Sequence, residues 1–236
     1  MELREIVAPT MKELFIKELE RQILTGECKI GDRLPTEREM ERKMKVSRTI
    51  INSGLAELAR IGFVEIVPRH GVFVGDFVRN GNTDTLLSIM NFNGGKLDRK
   101  TFESLMAYRT HNECECAYLA AQNRTEEDLI IMRNLYKKMV DETDNSVVAQ
   151  LNIEFHLAIY CATGNTIHPL VFNSFKKLLL AFNEILLRNF SCEIATMYFP
   201  ELIHAIEQKN PDESRSIMKT LTSKRIVQFN QCYFND

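Results

Sequence analysis

The spacing of hydrophobic residues changes along the chain and separates two regions. Apolar residues recur at helical spacing in three runs between residues 10 and 61, and two short β-branched and aromatic runs follow at 63–67 and 71–74. The tripeptide Pro68-Arg69-His70 between these two runs predicts a hairpin. Beyond Val78 the helical spacing returns and continues to the end of the chain. The pattern therefore predicts a small α/β region followed by a larger all-helical one.

Capping residues mark the boundaries of the first three predicted helices. Gly26 ends the first helix, and Thr36 and Glu39 have the spacing of a capping box at the start of the second. Ser47 is a favourable N-cap for a third helix, which Gly62 ends. Three helices followed by a hairpin is the order of a winged helix-turn-helix.

The remaining pattern predicts about seven helices with short connections and no strand. Their expected ranges are 84–93, 99–122, a helix capped by Thr125, 145–162, 167–190, 194–209 and 211–233. Short connections between helices favour an antiparallel bundle. The predicted fold class is mainly α, with a winged helix-turn-helix of three helices plus a β-hairpin over residues 1–78. An all-α helical bundle of about seven helices is predicted over residues 79–236, joined through a polar linker at 76–84.

Composition narrows the class of protein. The 236 residues suffice for two domains and carry a net charge of −2, with a local basic cluster at 42–48 that indicates an anion-binding module. No run of 18 apolar residues is present and the first twenty residues are charged throughout, so we expect no membrane segment and a cytoplasmic location. The six cysteines match no zinc spacing and are expected to be free thiols.

The start of the third predicted helix carries groups suited to DNA. Arg48 can donate two parallel hydrogen bonds to guanine, and Asn52 can make a two-bond contact with adenine. Ser47, Thr49 and the free amides of the helix start suit phosphate oxygens. Arg38 on the preceding helix can reach the DNA backbone or a base.

The predicted hairpin tip suits a wing that lies along the minor groove. Gly71 allows close approach of the backbone, and Arg69 suits the negative potential of that groove. The candidate DNA-binding residues are Arg38, Ser47, Arg48, Thr49, Asn52, Arg69, His70 and Gly71. The same basic residues on a winged-helix protein-interaction module are the alternative.

Four short runs in this region resemble the GntR family of regulators. They are Gly31–Glu39, Val46–Thr49, Gly62–Glu65 and Gly71–Val74, within roughly residues 10–75. The resemblance implies that Arg38, Arg48 and Gly71 contact operator DNA. The family pattern usually has an arginine where this chain has Asn52, so we expect a shifted operator preference at that position.

Residues beyond 82 resemble the FadR-type ligand domain, called FCD. The resemblance rests on Arg109–Glu113 with Leu119–Ala121, and on Phe155-His156 with Ala162–Asn165. It implies an all-α bundle that forms a homodimer and encloses a pocket for a small-molecule effector. Most members hold a divalent metal there through an aspartate and a histidine four residues apart and two later histidines.

This chain departs from that metal pattern at three of four positions. Asn152 stands in place of the aspartate, His156 is present, and Phe199 and Leu221 stand in place of the later histidines. An amide oxygen lacks the charge that holds a divalent cation tightly. We therefore expect no tightly bound metal or other cofactor.

The candidate ligand-binding residues are Arg109, Asn152 and His156. Arg109 can pair with Glu113 four residues later, or bind a ligand carboxylate or phosphate. His156 can be a hydrogen-bonded core residue or a ligand contact. The effector classes considered are an organic acid and an acyl-coenzyme A.

The sequence thus favours a transcriptional regulator that binds a palindromic double-stranded operator as a homodimer under the control of a small-molecule effector. A constitutive DNA-binding dimer with a degenerate pocket is the second interpretation. An enzyme is disfavoured because no nucleophile–base pairing, phosphate loop or paired catalytic carboxylates are recognisable.

Overall fold

The computed structural model describes residues 8–234, apart from the side chains of residues 194, 195 and 233. By packing, the chain divides into two compact units, residues 1–96 and 97–236. Residues 79–96 pack with the first unit, and the domain boundary after residue 78 stays a prediction.

The first unit is the predicted winged helix-turn-helix. Its elements are α1 (Met11–Leu24), α2 (Glu37–Met44), α3 (Arg48–Arg60), β1 (Val64–Val67), β2 (Gly71–Val74), α4 (Phe77–Asn80) and α5 (Thr83–Phe92). The strands pair antiparallel, with Val64 opposite Val74. The capping box of Thr36 and Glu39 is formed as predicted. Its buried core includes Phe15, Leu19, Ile51, Leu55, Leu58 and Phe63.

The segment expected to be a linker is largely ordered structure. Asp76 caps the single turn α4, and α5 is bonded to the C-terminal end of α3. The Thr85 hydroxyl donates to the carbonyl of Ile61 at 2.6 Å, and the Asn82 amide donates to the carbonyl of Arg60 at 3.0 Å. These bonds satisfy carbonyls that a helix end leaves unpaired, so they join α5 to the end of α3.

The second unit is helical throughout its described residues. Its helices are α6 (Arg99–Asn123), α7 (Glu126–Asp141), α8 (Asn145–Ala162), α9 (Ile167–Asn189), α10 (Cys192–Thr196), α11 (Phe199–Glu207) and α12 (Pro211–Tyr233). The expected single helix over 194–209 was wrong. Pro200 lacks an amide hydrogen, and its ring would clash with the carbonyl of Thr196 in a continuous helix, so α10 ends and α11 begins anew.

The packing of the second unit brings α6, α8 and α12 together. α6 packs along α12 and against α8, and α8 also packs against α7 and α9. Phe155 of α8 stacks on Phe199 of α11 with ring centroids 4.1 Å apart. Within the described residues no helix is both long enough and apolar enough to cross a membrane.

Candidate functional site

The N-terminal end of α3 is exposed to solvent and held in a fixed orientation. Ser47 is its N-cap, and the Ser47 hydroxyl accepts a hydrogen bond from the amide of Ile50 at 3.4 Å. Ile51 is fully buried in the core of the first unit, so the opposite face of the helix is presented outward. Thr49 and Asn52 are exposed on that side. The predicted DNA-contacting residues of α3 therefore share one accessible helix end.

Two acidic residues of α2 contact this end of α3. Arg48 Nε lies 3.3 Å from Glu41 Oε2, and both side chains are largely exposed. One end of the Asn52 amide lies 3.0 and 3.1 Å from the two carboxylate oxygens of Glu37. Because a carboxylate only accepts hydrogen bonds, this end is the amide nitrogen, which donates to Glu37. The sequence analysis had identified neither glutamate. Their spacing of four residues on one helix was the available signal.

The hairpin tip carries the other predicted DNA contacts. Arg69 has a left-handed backbone with φ of 66°, and His70 Nδ1 lies 3.0 Å from the carbonyl oxygen of Pro68. Gly71 has φ of 121°, and a Cβ there would lie 3.0 Å from Arg33 Nε. The backbone conformation of Gly71 therefore favours glycine, and a larger residue would also displace the Arg33 side chain.

A small cavity lies between α6, α8 and α12 in the second unit. Its lining residues are Met106, Arg109, Thr110, Glu113, His156, Leu221, Thr222, Arg225 and Ile226. Its volume is about 20 Å³, which is room for about one water molecule. Arg109 Nε and Nη2 donate to Glu113 Oε1 at 3.0 and 2.8 Å. The structure therefore brings Arg109 and His156 together, whereas Asn152 is buried nearby without lining the cavity.

Two buried atoms at this cavity have no hydrogen-bond partner among the described residues. They are Glu113 Oε2 and His156 Nδ1, which lie 3.8 Å apart, beyond hydrogen-bonding distance. Glu113 is 1% exposed and His156 is 4% exposed. Buried polar atoms are rarely left unpaired in proteins, so both are available to a bound molecule.

The cavity combines two guanidinium groups with one carboxylate and a neutral imidazole. Burial lowers the pKa of His156 to about 4, and the positive charges of Arg109 and Arg225 add to this effect against the opposing charge of Glu113. Burial acts to raise the pKa of Glu113, but the nearby cationic groups, with Arg109 foremost, outweigh it and lower that pKa. Burial and the charge of Arg109 lower the pKa of Arg225 to about 10. At their formal charges the two guanidinium groups and the one carboxylate give the lining side chains a net charge of +1.

The residues at the family's metal position do not fit a divalent cation. The ring of Phe199 packs edge-on against the ring of His156 with centroids 5.8 Å apart, and Leu221 lines the cavity wall. Asn152 Nδ2, a donor, has no partner among the described residues. Nor is any group of three or more His, Cys, Asp or Glu residues placed to hold a metal ion in the described part of the chain. The absence of a tightly bound metal stays a prediction.

Arg225 is a charged cavity residue that was not predicted from the sequence. It lies on α12 one turn after Leu221 and is 9% exposed. A charged residue in a helix is usually exposed, and only the placement of α12 against α6 shows that this one faces inward. Its position one turn beyond a missing metal ligand was the signal in the sequence.

Two family patterns match the chain. The family described as "Bacterial regulatory proteins, gntR family" matches residues 14–74, and the "FCD domain" family matches residues 104–223. Together they cover the first unit's helix-turn-helix and most of the second unit.

Curated relatives agree with these matches. The chain is 31% identical to the Glc operon transcriptional activator of Escherichia coli, over 73% of this chain and 68% of that protein. It is 30% identical to the Uxu operon regulator of Haemophilus influenzae, over 85% of this chain and 74% of that protein. A third relative is the HTH-type transcriptional regulator LutR of Bacillus subtilis, 28% identical over 67% of this chain and 70% of that protein.

A solved structure supports the fold. It is described by the words "Lar controls the expression of the Listeria monocytogenes agr system and mediates virulence" and superposes with a TM-score of 0.66 at 16% identity. The match covers 96% of this chain and 99% of that one. The chain therefore belongs to the GntR family of bacterial DNA-binding transcriptional regulators, in the group that carries an FCD domain.

Proposed function

We propose that this regulator binds a palindromic operator as a homodimer and that a small anionic effector in the second unit controls its operator affinity. The observation that carries the effector part is the buried cavity with its two guanidinium groups and two unpartnered polar atoms. Because operator DNA is the target, we expect the protein to act in the cytoplasm.

DNA recognition is assigned to the exposed end of α3 and to the wing. On binding DNA, Arg48 gives up its ion pair with Glu41 and forms hydrogen bonds to guanine. This change is inexpensive because an exposed ion pair costs about 1 kcal/mol or less to break. Ser47 and Thr49 bind phosphate oxygens beside the helix start. Arg38 supports them from α2. Arg69, His70 and Gly71 lie along the minor groove.

The chemistry of the cavity selects a small carboxylate that also carries a hydroxyl group. Arg109 and Arg225 attract an anion, and arginine matches a carboxylate with two parallel hydrogen bonds. Glu113 Oε2 can only accept a hydrogen bond, so it requires a donor such as a hydroxyl. His156, which is neutral, complements either role through Nδ1. Among the two effector classes, an organic acid fits this lining better than the long chain of an acyl-coenzyme A.

Effector binding requires the cavity walls to open. The volume of about 20 Å³ is smaller than any carboxylic acid, so the effector binds an arrangement with more space between α12 and α6. A ligand that binds only the opened arrangement shifts the population toward it. That difference between two arrangements is what a regulator needs to couple effector binding to DNA binding.

A constitutive DNA-binding dimer is the second candidate. The observation that favours it is the existing bond pair between Arg109 and Glu113, together with the small volume of the cavity. In that case the cavity is only a buried ion pair, and no small anion stabilises the protein.

A thermal-unfolding screen separates the two candidates, made with protein that has been stripped of metals by a chelator and then dialysed to remove the chelator. The ligands are small hydroxycarboxylates, the matched carboxylates without the hydroxyl, sugar phosphates, acyl-coenzyme A thioesters and divalent metals. A ligand at a hundred times its dissociation constant adds about 2.7 kcal/mol to the free energy of unfolding. We expect hydroxycarboxylates to stabilise the wild type but not Arg225→Met. Stabilisation by metals or by acyl thioesters contradicts the proposed chemistry, and no stabilisation by any ligand favours the constitutive dimer.

A further inference from the structure

The contact between Glu37 and Asn52 is unusual for a base-reading position, because it fixes which end of an amide faces outward. One end of the Asn52 amide lies 3.0 Å from one carboxylate oxygen of Glu37 and 3.1 Å from the other. An ionised carboxylate accepts hydrogen bonds and cannot donate them. The nitrogen of the amide, and not its oxygen, must therefore face Glu37.

The position of Glu37 is itself set by the start of α2. Glu37 is the first residue of α2, directly after the N-cap Thr36. The Thr36 amide donates to Glu39 Oε2 at 2.8 Å, which closes the capping box around the helix start. Met40, 2% exposed, anchors the same turn in the core. The backbone of Glu37 is therefore held in a fixed position, from which its carboxylate contacts Asn52 of α3.

The oxygen and nitrogen of a primary amide branch from the same carbon in different directions. With its nitrogen on Glu37, Asn52 presents its oxygen on the side away from α2. Asparagine reads adenine by accepting from N6 with its oxygen and donating to N7 with its nitrogen. Because the nitrogen is already bonded to a carboxylate, the second of these bonds is weakened and the first is retained. The amide has a second N–H, but with the nitrogen held by both oxygens of Glu37 we expect Asn52 to act mainly as a hydrogen-bond acceptor toward the base.

We propose that Glu37 is a specificity-determining positioning residue, which makes Asn52 select a base with an exposed amino group. Adenine and cytosine present such a group in the major groove, whereas guanine and thymine present acceptors to the same position. The expected preference is for adenine or cytosine on the strand that Asn52 contacts. An arginine, the usual family residue at this position, only donates and favours guanine. The proposal rests on operator binding through the N-terminal end of α3.

Glu41 offers a matched control on the same helix. It pairs with Arg48 rather than with Asn52, and its side chain is likewise exposed. Arg48 has five N–H donors and no acceptor, so it remains a hydrogen-bond donor toward a base whether or not its Nε contacts Glu41. Replacing either glutamate removes one negative charge near the DNA and raises affinity for all sequences alike. Only the base preference, and not the affinity, reports the orientation of Asn52.

The test is an in-vitro selection of operator sequences from a random library, made in parallel with the wild type, Glu37→Ala, Glu41→Ala and Asn52→Ala. The base position read by Asn52 is the one whose preference disappears in Asn52→Ala. At that position we expect the wild type to accept adenine and cytosine within about threefold of each other and to reject guanine and thymine by about tenfold. Release of the amide in Glu37→Ala should favour adenine over cytosine by about tenfold, since both bonds to adenine can then form. Glu41→Ala should leave this position unchanged.

Several results overturn the proposal. They are a wild-type preference for guanine or thymine, an unchanged profile in Glu37→Ala, the same change in Glu41→Ala, or no position that depends on Asn52. If Glu37→Ala does not fold, Glu37→Gln is the second variant, because its amide lets either end of Asn52 face α2 and should also favour adenine. If the wild type enriches no sequence at all, the proposed operator binding is itself wrong. This outcome differs from the results above, in which the wild type does select sequences.

Discussion

The buried carboxylate of Glu113 gives the sharpest prediction about stability. Its side chain is 2% exposed and pairs with Arg109, which is 19% exposed, while Arg225 lines the same cavity. Glu113→Gln removes the negative charge, keeps the shape, and leaves Arg109 without the carboxylate it pairs with. Breaking a buried ion pair by removing one partner costs about 3–5 kcal/mol. Because Arg109 retains some contact with water and glutamine retains an acceptor, we expect about 3 kcal/mol.

Hydrogen exchange followed by mass spectrometry measures this loss of stability for the second unit within the full chain. Amides that exchange only on unfolding of the second unit should exchange roughly a hundredfold faster, since each 1.4 kcal/mol is a factor of ten. Peptides from the first unit should be unchanged. Glu115→Gln is the matched control on the same helix: Glu115 and Arg215 form a pair with side chains 44% and 41% exposed. An exposed pair is worth about 1 kcal/mol or less, so this variant should exchange at most about fivefold faster. Equal effects in the two variants would refute the argument that burial makes the Glu113 pair important.

Three further predictions follow from particular contacts. His156 is protonated below pH 6.5 in the unfolded chain but only below about pH 4 in the folded chain, so the free energy of unfolding should fall by roughly 3 kcal/mol as the pH drops through this interval. Chemical denaturation across that range should show a smaller loss in His156→Gln. An identical pH slope in the two proteins would contradict the assignment. Gly54→Ala should destabilise the first unit by about 1–2 kcal/mol, because its Cβ would lie 2.4 Å from a ring carbon of the buried Phe15. The control Ser53→Ala, at an exposed position, should not destabilise it. Hydrogen-exchange rates of α1 and α3 peptides measure both effects, and equal rates in the two variants would show that the Phe15 ring moves aside freely. Treatment with a chelator should leave the unfolding temperature unchanged. If the chelator instead lowers that temperature and one divalent metal restores it, Asn152 and His156 bind the metal after all.

Much of the fold could be predicted because local signals agreed with the tertiary structure. The caps at Thr36 and Ser47 and the hairpin around Pro68 all act over a few residues, and each element begins where its local chemistry directs. The break between α10 and α11 was missed, although Pro200 carried the signal. The attachment of α5 to α3 was also missed, because Thr85 and Ile61 are brought together only by the folded unit.

The site was predictable only in part, for the same reason. Arg109 and His156 followed from the family resemblance, and the structure places both at one cavity. Arg225 could not be placed, since its inward direction depends on how α12 packs against α6. Glu37 was missed because its spacing from Glu41 indicates only a shared helix face, and the contact of that face with α3 depends on how the two helices pack.

Operator affinity measured with and without the identified effector tests the central claim most directly. Fluorescence anisotropy with the selected operator, at fixed salt and with chelator present, gives the dissociation constant of the wild type and of Arg225→Met. Coupling between two sites is commonly 1–3 kcal/mol, so saturating hydroxycarboxylate should change the wild-type dissociation constant by about fivefold or more. The same ligand should leave Arg225→Met unchanged. An effector that saturates the wild type, as judged by thermal stabilisation, without changing operator affinity would contradict the proposal that the buried cavity controls DNA binding.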